Sequence, residues 1–397
     1  MEQLDLGELR AIVESLAHSV HTLQEVVDRN YMKEHLREML STHYTIGDLV
    51  DVKKLDRGYV NVSYELETMQ TGKKQRYFLR RYKRGIREEE VRFEHSIVKH
   101  LMKKQFPLSA GLIFRKDGAT YVKETEEREG EVEEVYFAVF EFLKGEDKYT
   151  WDNPACSRKE LADAARVLAR YHDAVCDLRY EGRRYEAKII DLLPTIGGNL
   201  MKYAKRTGNT KFDAYFLKHL DYTLHVIDGT QEQIDRKVYE QLPQLAVHAD
   251  YHPGNLKFRK GTVVGLFDFD WSKIDVRCFD VALAMTYACT TWEGKDDGDL
   301  LLDRISLFLK SYQDEAFGLK DMGPLQKREI EFLPVMMKAS NLYVLNWDVD
   351  DYYIKKPNPF EYLIYLQHNI RTMRWIENNW DNLKAVISSV TESHSYH

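Results

Sequence analysis

The chain has 397 residues, of which 44% are hydrophobic and 30% are charged, and its formal net charge is −7. This length is sufficient for two lobes with separate cores, and the negative charge gives no reason to expect nucleic acid as a partner. No apolar run reaches the roughly 18 residues of a membrane span. The start of the chain lacks the basic residues of a secretory signal. The four cysteines form no CxxC pair, so we expect a cytoplasmic protein with reduced thiols.

The first 43 residues are predicted to form a helical N-terminal extension. Apolar residues recur at three- and four-residue steps from Leu9 to Val27, which is typical of an amphipathic helix. A second, shorter helix is expected to carry Met32, Leu36, Met39 and Leu40. The pair can pack on the next lobe, cover a substrate cleft or join a second subunit in a homodimer, and packing within the chain is the favoured alternative.

Residues 44–143 are predicted to form an N-terminal nucleotide-binding lobe. Alternating apolar and polar residues indicate short strands at 60–68, 77–82, 119–123 and 135–143. A charged helix is expected over residues 87–104. The acidic stretch 124–134 is interpreted as the solvated tip of a hairpin.

Residues 144–397 are predicted to form a mainly helical lobe. The first helix, Ser157–Val175, has Ser157 as its N-cap and Glu160 at the capping-box position. Gly197-Gly198 is interpreted as a break in the next segment. Further helices are expected over residues 211–226, 234–242, 300–312, 327–345 and 362–380.

The most informative segment follows an apolar run that ends at His248-Ala-Asp250. Asn255 lies five residues after Asp250, and a second apolar run delivers Asp268 thirteen residues later. Phosphoryl transfer requires positioned groups and neutralised charge, and Mg²⁺ prefers hard oxygen ligands. Asn255 and Asp268 can supply two such oxygens, while Asp250 accepts a hydroxyl proton. A turn at Pro253-Gly254 is expected to point Asn255 back toward Asp250.

These residues give His248–Asp280 a resemblance to the aminoglycoside phosphotransferase and choline kinase superfamily. The resemblance rests on the pattern H-x-D-x4-N, an aliphatic-Asp-aromatic step, and Phe279-Asp280 before a small apolar helix start. The flanks are similar in style to homoserine-kinase-like and spore-coat-type members. The family implies an α+β, protein-kinase-like fold of two lobes, with an antiparallel sheet in the N-terminal lobe and helices in the C-terminal lobe. It also implies ATP and Mg²⁺ as cofactors and a small-molecule alcohol as substrate.

The resemblance assigns roles to individual residues. It implies Asp250 as the catalytic base and Asn255 and Asp268 as Mg²⁺ ligands. Asp280 is expected to brace the catalytic loop from a buried position. Structural support is also expected from His248 and His172, of which the second ends a helix similar to the family's L-A-x-L-H segment.

A kinase of this kind also needs a loop over the phosphates, a cation beside them and an acid that holds the cation. Residues 56–61 are the candidate loop, with Gly58 as its single glycine and Ser63 just beyond it. Arg80 is the candidate cation, and Glu94 is its expected partner. The family commonly has Lys here, but Arg also neutralises phosphate, through a planar fork. The neighbouring Arg81 faces the other side of the strand, so either arginine can be the phosphate cation.

The adenine and acceptor sites are less sharply marked. Glu141 and Leu143 belong to a segment that resembles the family's link between lobes, whose backbone would pair with the nucleotide base, whether ATP or GTP. Carboxylates beside aromatic rings suit an ammonium group, and the candidate residues are Asp270, Trp271, Trp347 and Asp348. These residues favour an amino-bearing alcohol such as homoserine, choline or an aminosugar.

Two alternatives to a kinase remain open at this point. The glycine-poor loop and Arg80 are compatible with a nucleotide-binding scaffold that has no turnover. His248-x-Asp250 with a distant histidine is also the two-His-one-carboxylate pattern of iron oxygenases. That pattern leaves Asn255 and Asp268 without a role, so phosphoryl transfer is the favoured function.

Overall fold

The computed structural model describes residues 32–55, 60–128, 130–292, 294–355 and 358–392. The chain divides into two compact units. The first runs to Ile86 and includes Gly111–Phe142, while the second consists of Arg87–Ala110 and the chain from Leu143 onward. The predicted α+β class is confirmed, with an antiparallel sheet in the first unit and mainly helices in the second. The division into domains at residues 43 and 143 stays a prediction.

The first unit is built on one antiparallel sheet. Its strands are β1 (Asp48–Leu55), β2 (Val62–Gln70), β3 (Lys73–Arg81), β4 (Val122–Arg128) and β5 (Glu131–Glu141), in the order β1-β2-β3-β5-β4. Helix α1, over residues 32–43, precedes the sheet. Leu36 and Leu40 of α1 share a buried core with Leu66 and Phe137 of the sheet. Among the described residues the second N-terminal helix thus packs within the chain, whereas residues 1–31 lie outside those ranges.

Residues 124–128 and 131–134 of the acidic stretch are paired strand rather than the expected hairpin tip. Glu126 forms an ion pair with Arg81 of β3, and Lys123 contacts Glu134 at 2.7 Å. Opposite charges on neighbouring strands stabilise a sheet. Cross-strand partners therefore keep this acidic segment in β4 and β5, although its composition alone suggests a solvated turn.

The second unit carries most of the helices. They are α2 (Glu88–Lys103), α3 (Arg158–Val175), α4 (Ile189–Ala204), α5 (Lys211–Gln233), α6 (Arg236–Gln241), α7 (Arg277–Ala288), α8 (Leu302–Phe317), α9 (Lys327–Lys355), α10 (Pro359–Asn378) and α11 (Trp380–Glu392). Ser157 caps α3 in a capping box with Glu160, as the sequence predicted. The described helices include none long and apolar enough to cross a membrane.

Helix α4 has no break at Gly197-Gly198, so the predicted break is wrong. The helix continues through both glycines, and it also contains Pro194. Its buried side chains include Leu193, Ile196 and Leu200. Glycine costs a helix about 1 kcal/mol, but the burial of an apolar stripe stabilises a helix by more than that.

Two short antiparallel ladders position the candidate site in the second unit. Strand β6 (Gln244–Val247) pairs with β9 (Lys273–Val276), and β7 (Leu256–Arg259) pairs with β8 (Thr262–Leu266). The chain leaves β6 directly into the His248–Asn255 loop, and it leaves β8 directly toward Asp268.

Candidate active site

Asp250 and Asn255 lie side by side in the loop after β6. The Asn255 side-chain nitrogen donates to the Asp250 Oδ2 at 2.9 Å and to the Asp250 backbone carbonyl at 2.9 Å. A short 3-10 turn over Pro253–Asn255 brings the two residues together, which confirms the orientation predicted from Pro253-Gly254. The Asn255 amide oxygen therefore points away from Asp250.

Two further side chains face the Asp250 carboxylate. The His252 Nδ1 accepts a hydrogen bond from the Gly254 N–H at 3.0 Å, which puts the His252 proton on Nε2, 3.5 Å from the Asp250 Oδ2. Burial, the Asp250 charge and a hydrogen bond to Asp250 raise the pKa of Tyr287 well above its usual value. The Asp250 side chain keeps 23% of its surface exposed, so it is held in place but accessible.

Asp268 lies just after β8. This strand pairs with β7, which begins directly after Asn255. Leu256 lies opposite Leu266 in the β7–β8 ladder, and the Phe267 N–H donates to the Asn255 carbonyl at 3.2 Å. Asn255 and Asp268 therefore lie at the same end of the hairpin. The Asp268 backbone is left-handed, with φ 71° and ψ 62°, a conformation that costs an L-residue about 1–3 kcal/mol.

The residues present fit a hard divalent cation. Asn255 turns its amide oxygen away from Asp250 while its nitrogen is bonded, and Asp268 contributes a carboxylate near the same strand end. In the described ranges no group of three or more His, Cys, Asp or Glu side chains could hold a metal ion. A cation here would thus depend on an amide oxygen, one carboxylate, water and nucleotide phosphates, which suits Mg²⁺.

A buried carboxylate holds the start of the loop. Asp280 of α7 accepts hydrogen bonds from the His248 N–H at 2.8 Å and the Ala249 N–H at 2.9 Å. The His172 Nε2 lies 3.0 Å from the same carboxylate, and its Nδ1 lies 2.8 Å from the Tyr312 hydroxyl. These contacts are those that the proposed bracing roles of Asp280 and His172 require.

Burial and hydrogen bonding determine which of His172, His248 and Asp280 is charged. Burial lowers the pKa of His172, against the opposing effect of Asp280, so the imidazole is neutral near pH 7. Burial would raise the pKa of Asp280, but hydrogen bonds from His172 and His248 hold it below its usual value. Burial also lowers the pKa of His248, whose Nε2 lies 3.0 Å from the Phe267 carbonyl. Asp280 is therefore the charged member of the group.

The candidate nucleotide residues divide between the two units. Ser63 and Arg80 lie opposite each other on β2 and β3, and both are buried. Arg81 forms an ion pair with Glu126, and the choice of Arg80 or Arg81 as the phosphate cation stays a prediction. Glu94 is buried in α2 of the second unit, and its pairing with Arg80 stays a prediction.

Three more predicted nucleotide residues have less structural context. Gly58 lies outside the described residues. The Glu141 backbone N–H donates to the Gly111 carbonyl at 2.8 Å, so this N–H already has a partner within the chain. Leu143 is half-buried at the start of the second segment of the second unit.

The four candidate acceptor residues differ in accessibility. Asp270 and Trp271 are half-buried just after Asp268. Trp347 is half-buried and lies nearly parallel to Tyr362, with 6.3 Å between ring centroids. Asp348 is fully buried and accepts a hydrogen bond from Asn369 at 2.5 Å. Burial raises the pKa of Asp348 well above its usual value, and its contact with a substrate stays a prediction.

Residues that the sequence did not single out also belong to this neighbourhood. The charges of Glu186, Arg184 and Asp250 all act on the Tyr343 hydroxyl, whose pKa burial raises. The Arg184 guanidinium lies 5.3 Å from the Trp271 ring centroid. Arg184 and Glu186 precede the motif by a long stretch of chain, and no local pattern marks them.

Comparisons with known proteins identify the family. The model of the phosphotransferase enzyme family matches residues 51–310, which is more than half of the chain. A homoserine kinase of Parvibaculum lavamentivorans is 25% identical over 341 residues, covering 84% of this chain and 92% of the relative. A homoserine kinase of Rhizobium etli is 24% identical over 338 residues, covering 83% and 92% respectively.

Solved structures share the fold. An amicoumacin kinase in complex with AMP-PNP, Ca²⁺ and its ligand has a TM-score of 0.59 at 14% identity, covering 90% of this chain and 96% of that one. An aminoglycoside phosphotransferase from Alicyclobacillus acidocaldarius has a TM-score of 0.55 at 16% identity, covering 89% and 94%. The family match over residues 51–310 and the homoserine kinase relatives favour a kinase over the scaffold and oxygenase alternatives. The chain belongs to the phosphotransferase enzyme family and is a small-molecule kinase that phosphorylates an alcohol group.

Proposed function

We propose that the chain transfers the γ-phosphate of ATP to a small amino-bearing alcohol of the homoserine type, with Asp250 as base and Asn255 and Asp268 as Mg²⁺ ligands. One observation carries the proposal. Asn255 donates to Asp250 at 2.9 Å through its side chain and accepts from the Phe267 N–H at 3.2 Å through its backbone. These contacts support the proposal of a base and two hard oxygen ligands at one strand end, which phosphoryl transfer requires.

In the proposed reaction the acceptor oxygen forms a bond to the γ-phosphorus. The bond from that phosphorus to the β–γ bridging oxygen breaks, ADP leaves with that oxygen, and the hydroxyl proton passes to Asp250. Mg²⁺, when bound, would neutralise charge on the phosphates. Arg80, with Glu94 as its acidic partner, is proposed to neutralise phosphate as well. The remaining proposed nucleotide contacts are Gly58, Ser63, Glu141 and Leu143.

Two observations support the proposed acceptor class, namely the match to homoserine kinases and the carboxylate of Asp270, two residues after Asp268. The chain matches 92% of the length of each of the two homoserine kinases described above. Half-buried Asp270 and Trp271 follow Asp268, and a carboxylate beside an aromatic ring suits an ammonium group. Both observations support an amino alcohol.

The test compares Asp250→Asn with the parent in an assay of ADP release with ATP, Mg²⁺ and L-homoserine, 3-aminopropan-1-ol or choline. Removal of a positioned base lowers kcat by roughly 10²–10⁴-fold, whereas nucleotide affinity should stay unchanged because Asp250 is not a proposed ligand. Asp228→Asn, on the exposed face of α5, removes the same charge and should retain full activity. Equal turnover by Asp250→Asn and the parent would contradict the proposal.

We also propose that the protein acts in the cytoplasm without a nucleic-acid or membrane partner. A homodimer through the N-terminal helices stays a prediction, since most of those residues lie outside the described ranges. Size-exclusion chromatography with light scattering tests it.

A further inference from the structure

A short segment outside the helices and strands, residues 182–188, lies between α3 and α4 and is hydrogen-bonded to other elements near both ends. The Arg183 N–H donates to the Glu89 carbonyl at 3.0 Å, and the Ile189 N–H donates to the Asp275 Oδ2 at 2.8 Å. Lys273 additionally donates to the Ala187 carbonyl at 2.7 Å. The backbone that carries residues 184–186 is therefore held by hydrogen bonds to other elements of the second unit.

Side chains of this segment alternate between two environments. Arg183 and Tyr185 are exposed, whereas Arg184 and Glu186 are half-buried. Two opposite charges, separated by one residue, are therefore partly buried in the second unit.

The side chain of Arg184 is buried, and its hydrogen-bonding groups are only partly satisfied. Its side chain is 8% exposed and its Nη1 contacts the Glu90 Oε1 at 3.2 Å. The Arg184 Nε is buried and has no hydrogen-bond partner among the described residues. A buried donor without a partner is costly, so this atom marks a position that a ligand acceptor can fill.

Helix α9 presents further unsatisfied polar atoms to the same region. Tyr343 and Asn346 are 7% and 8% exposed, and neither the Tyr343 hydroxyl nor the Asn346 Oδ1 has a hydrogen-bond partner in the described part of the chain. The Asn346 nitrogen donates to the Asp350 Oδ2 at 3.2 Å. The Lys273 Nζ, 2.7 Å from the Ala187 carbonyl, lies 5.0 Å from the Tyr343 ring centroid, so the segment and α9 meet at one side chain. Burial and, to a smaller extent, the charge of Glu186 raise the pKa of Asp350.

We propose that Arg184 and Glu186 determine acceptor specificity by binding the carboxylate and the ammonium group, respectively, of an amino-acid alcohol whose hydroxyl faces Asp250. Tyr343, Asn346 and Asp350 complete the ammonium side with oxygen atoms. This inference rests on the proposed function, because it takes Asp250 as the base that the hydroxyl meets. It gives a ligand to three buried polar atoms that have no hydrogen-bond partner among the described residues, which are the Arg184 Nε, the Tyr343 hydroxyl and the Asn346 Oδ1.

The experiment measures binding by calorimetry, in the presence of AMP-PNP and Mg²⁺, for three related compounds. L-Homoserine has both charges, 3-aminopropan-1-ol lacks the carboxylate, and 4-hydroxybutanoate lacks the amine. A charge-assisted hydrogen bond corresponds to about 10–100-fold in affinity. The parent should therefore bind L-homoserine at least about tenfold more tightly than either truncated compound.

Two variants separate the two charges. Glu186→Gln should weaken L-homoserine and 3-aminopropan-1-ol by about 10–100-fold and leave 4-hydroxybutanoate unchanged. Arg184→Gln should weaken L-homoserine and 4-hydroxybutanoate while sparing 3-aminopropan-1-ol, and Arg184→Lys should restore part of the loss. Arg183→Gln, one residue away on the exposed face, is the matched control and should bind like the parent.

Several outcomes would overturn the inference. Equal weakening of all three compounds in both variants would indicate a structural role, and a parent that binds none of the three would exclude the acceptor class. Because binding is measured without turnover, failure here is distinguishable from failure of the proposed reaction, which is judged by Asp250→Asn. Thermal unfolding of Arg184→Gln and Arg184→Lys checks that Glu90 does not disrupt the fold when its partner changes.

Discussion

Replacement of Asp280 by Asn tests whether a buried carboxylate positions the catalytic loop. Asp280 accepts from the His248 N–H at 2.8 Å and the His172 Nε2 at 3.0 Å through Oδ2, and from the Ala249 N–H at 2.9 Å through Oδ1. Asparagine has one acceptor oxygen. In its better orientation it keeps the first two bonds and turns its NH₂ group toward the Ala249 N–H, so a buried backbone donor loses its partner.

The expected cost follows from these contacts. One buried donor without a partner costs about 1–3 kcal/mol, and the two remaining bonds lose their charged acceptor, for about 1 kcal/mol more. We therefore expect Asp280→Asn to lower the free energy of unfolding by about 2–4 kcal/mol. Because Ala249 precedes the proposed base, kcat should also fall by roughly tenfold or more, since small displacements of reacting groups are costly.

Chemical unfolding followed by circular dichroism measures the stability change, and the ADP-release assay measures kcat. Asp213→Asn is the matched control, because Asp213 is 3% exposed and accepts from the Thr210 N–H at 3.0 Å and the Tyr353 hydroxyl at 2.7 Å. The control should lose stability but little activity. The reasoning is refuted if Asp280→Asn keeps the parent's stability and kcat, or if both variants lose kcat equally.

Three further predictions concern separate parts of the chain. A Cβ at Gly182 (φ 76°) would overlap the Glu89 carbonyl and lie 2.9 Å from the Phe93 nitrogen. Gly182→Ala should therefore weaken acceptor binding, measured by calorimetry, more than nucleotide binding. The control is Gly323→Ala (φ 66°), which has open space around it and should change neither affinity. Burial would raise the pKa of Glu160, but hydrogen bonds, that from Lys148 foremost, lower it to about 2. A depressed carboxyl pKa contributes stability above the unfolded value of 4.5 that is lost as the pH falls toward 2, so unfolding curves of Glu160→Gln should depend less on pH in that range. Asp268→Ala should raise the Mg²⁺ concentration for half-maximal activity, and an unchanged Mg²⁺ titration would remove Asp268 from the metal site.

The sequence predicted those features that depend on neighbours along the chain. Ser157 and Glu160 lie within one helical turn, and their capping box is present. Asp250 and Asn255 are also close in sequence, and the turn at Pro253-Gly254 suffices to predict that they meet. Local patterns therefore gave the loop geometry and most element positions.

The sequence did not predict features that depend on residues far apart along the chain. The strands of the acidic stretch are held by cross-strand pairs such as Arg81 with Glu126, and composition alone does not reveal such pairs. Helix α4 continues through its glycines because its apolar side chains are buried by other elements. Arg184 reaches the neighbourhood of Trp271 only through the tertiary fold, so no spacing rule could have linked the two residues.

The brace at Asp280 also explains how the loop tolerates an unfavourable backbone. Ala249 has a φ of 60°, and a left-handed conformation costs a residue with a side chain about 1–3 kcal/mol. The Ala249 N–H donates to the Asp280 carboxylate, so this hydrogen bond stabilises the left-handed conformation of Ala249. Without it, the chain after His248 would relax toward ordinary backbone angles and carry Asp250 away from Asn255. A sequence that keeps Asp250, Asn255 and Asp268 but lacks a carboxylate at position 280 should therefore fold with the right residues present and the base misplaced.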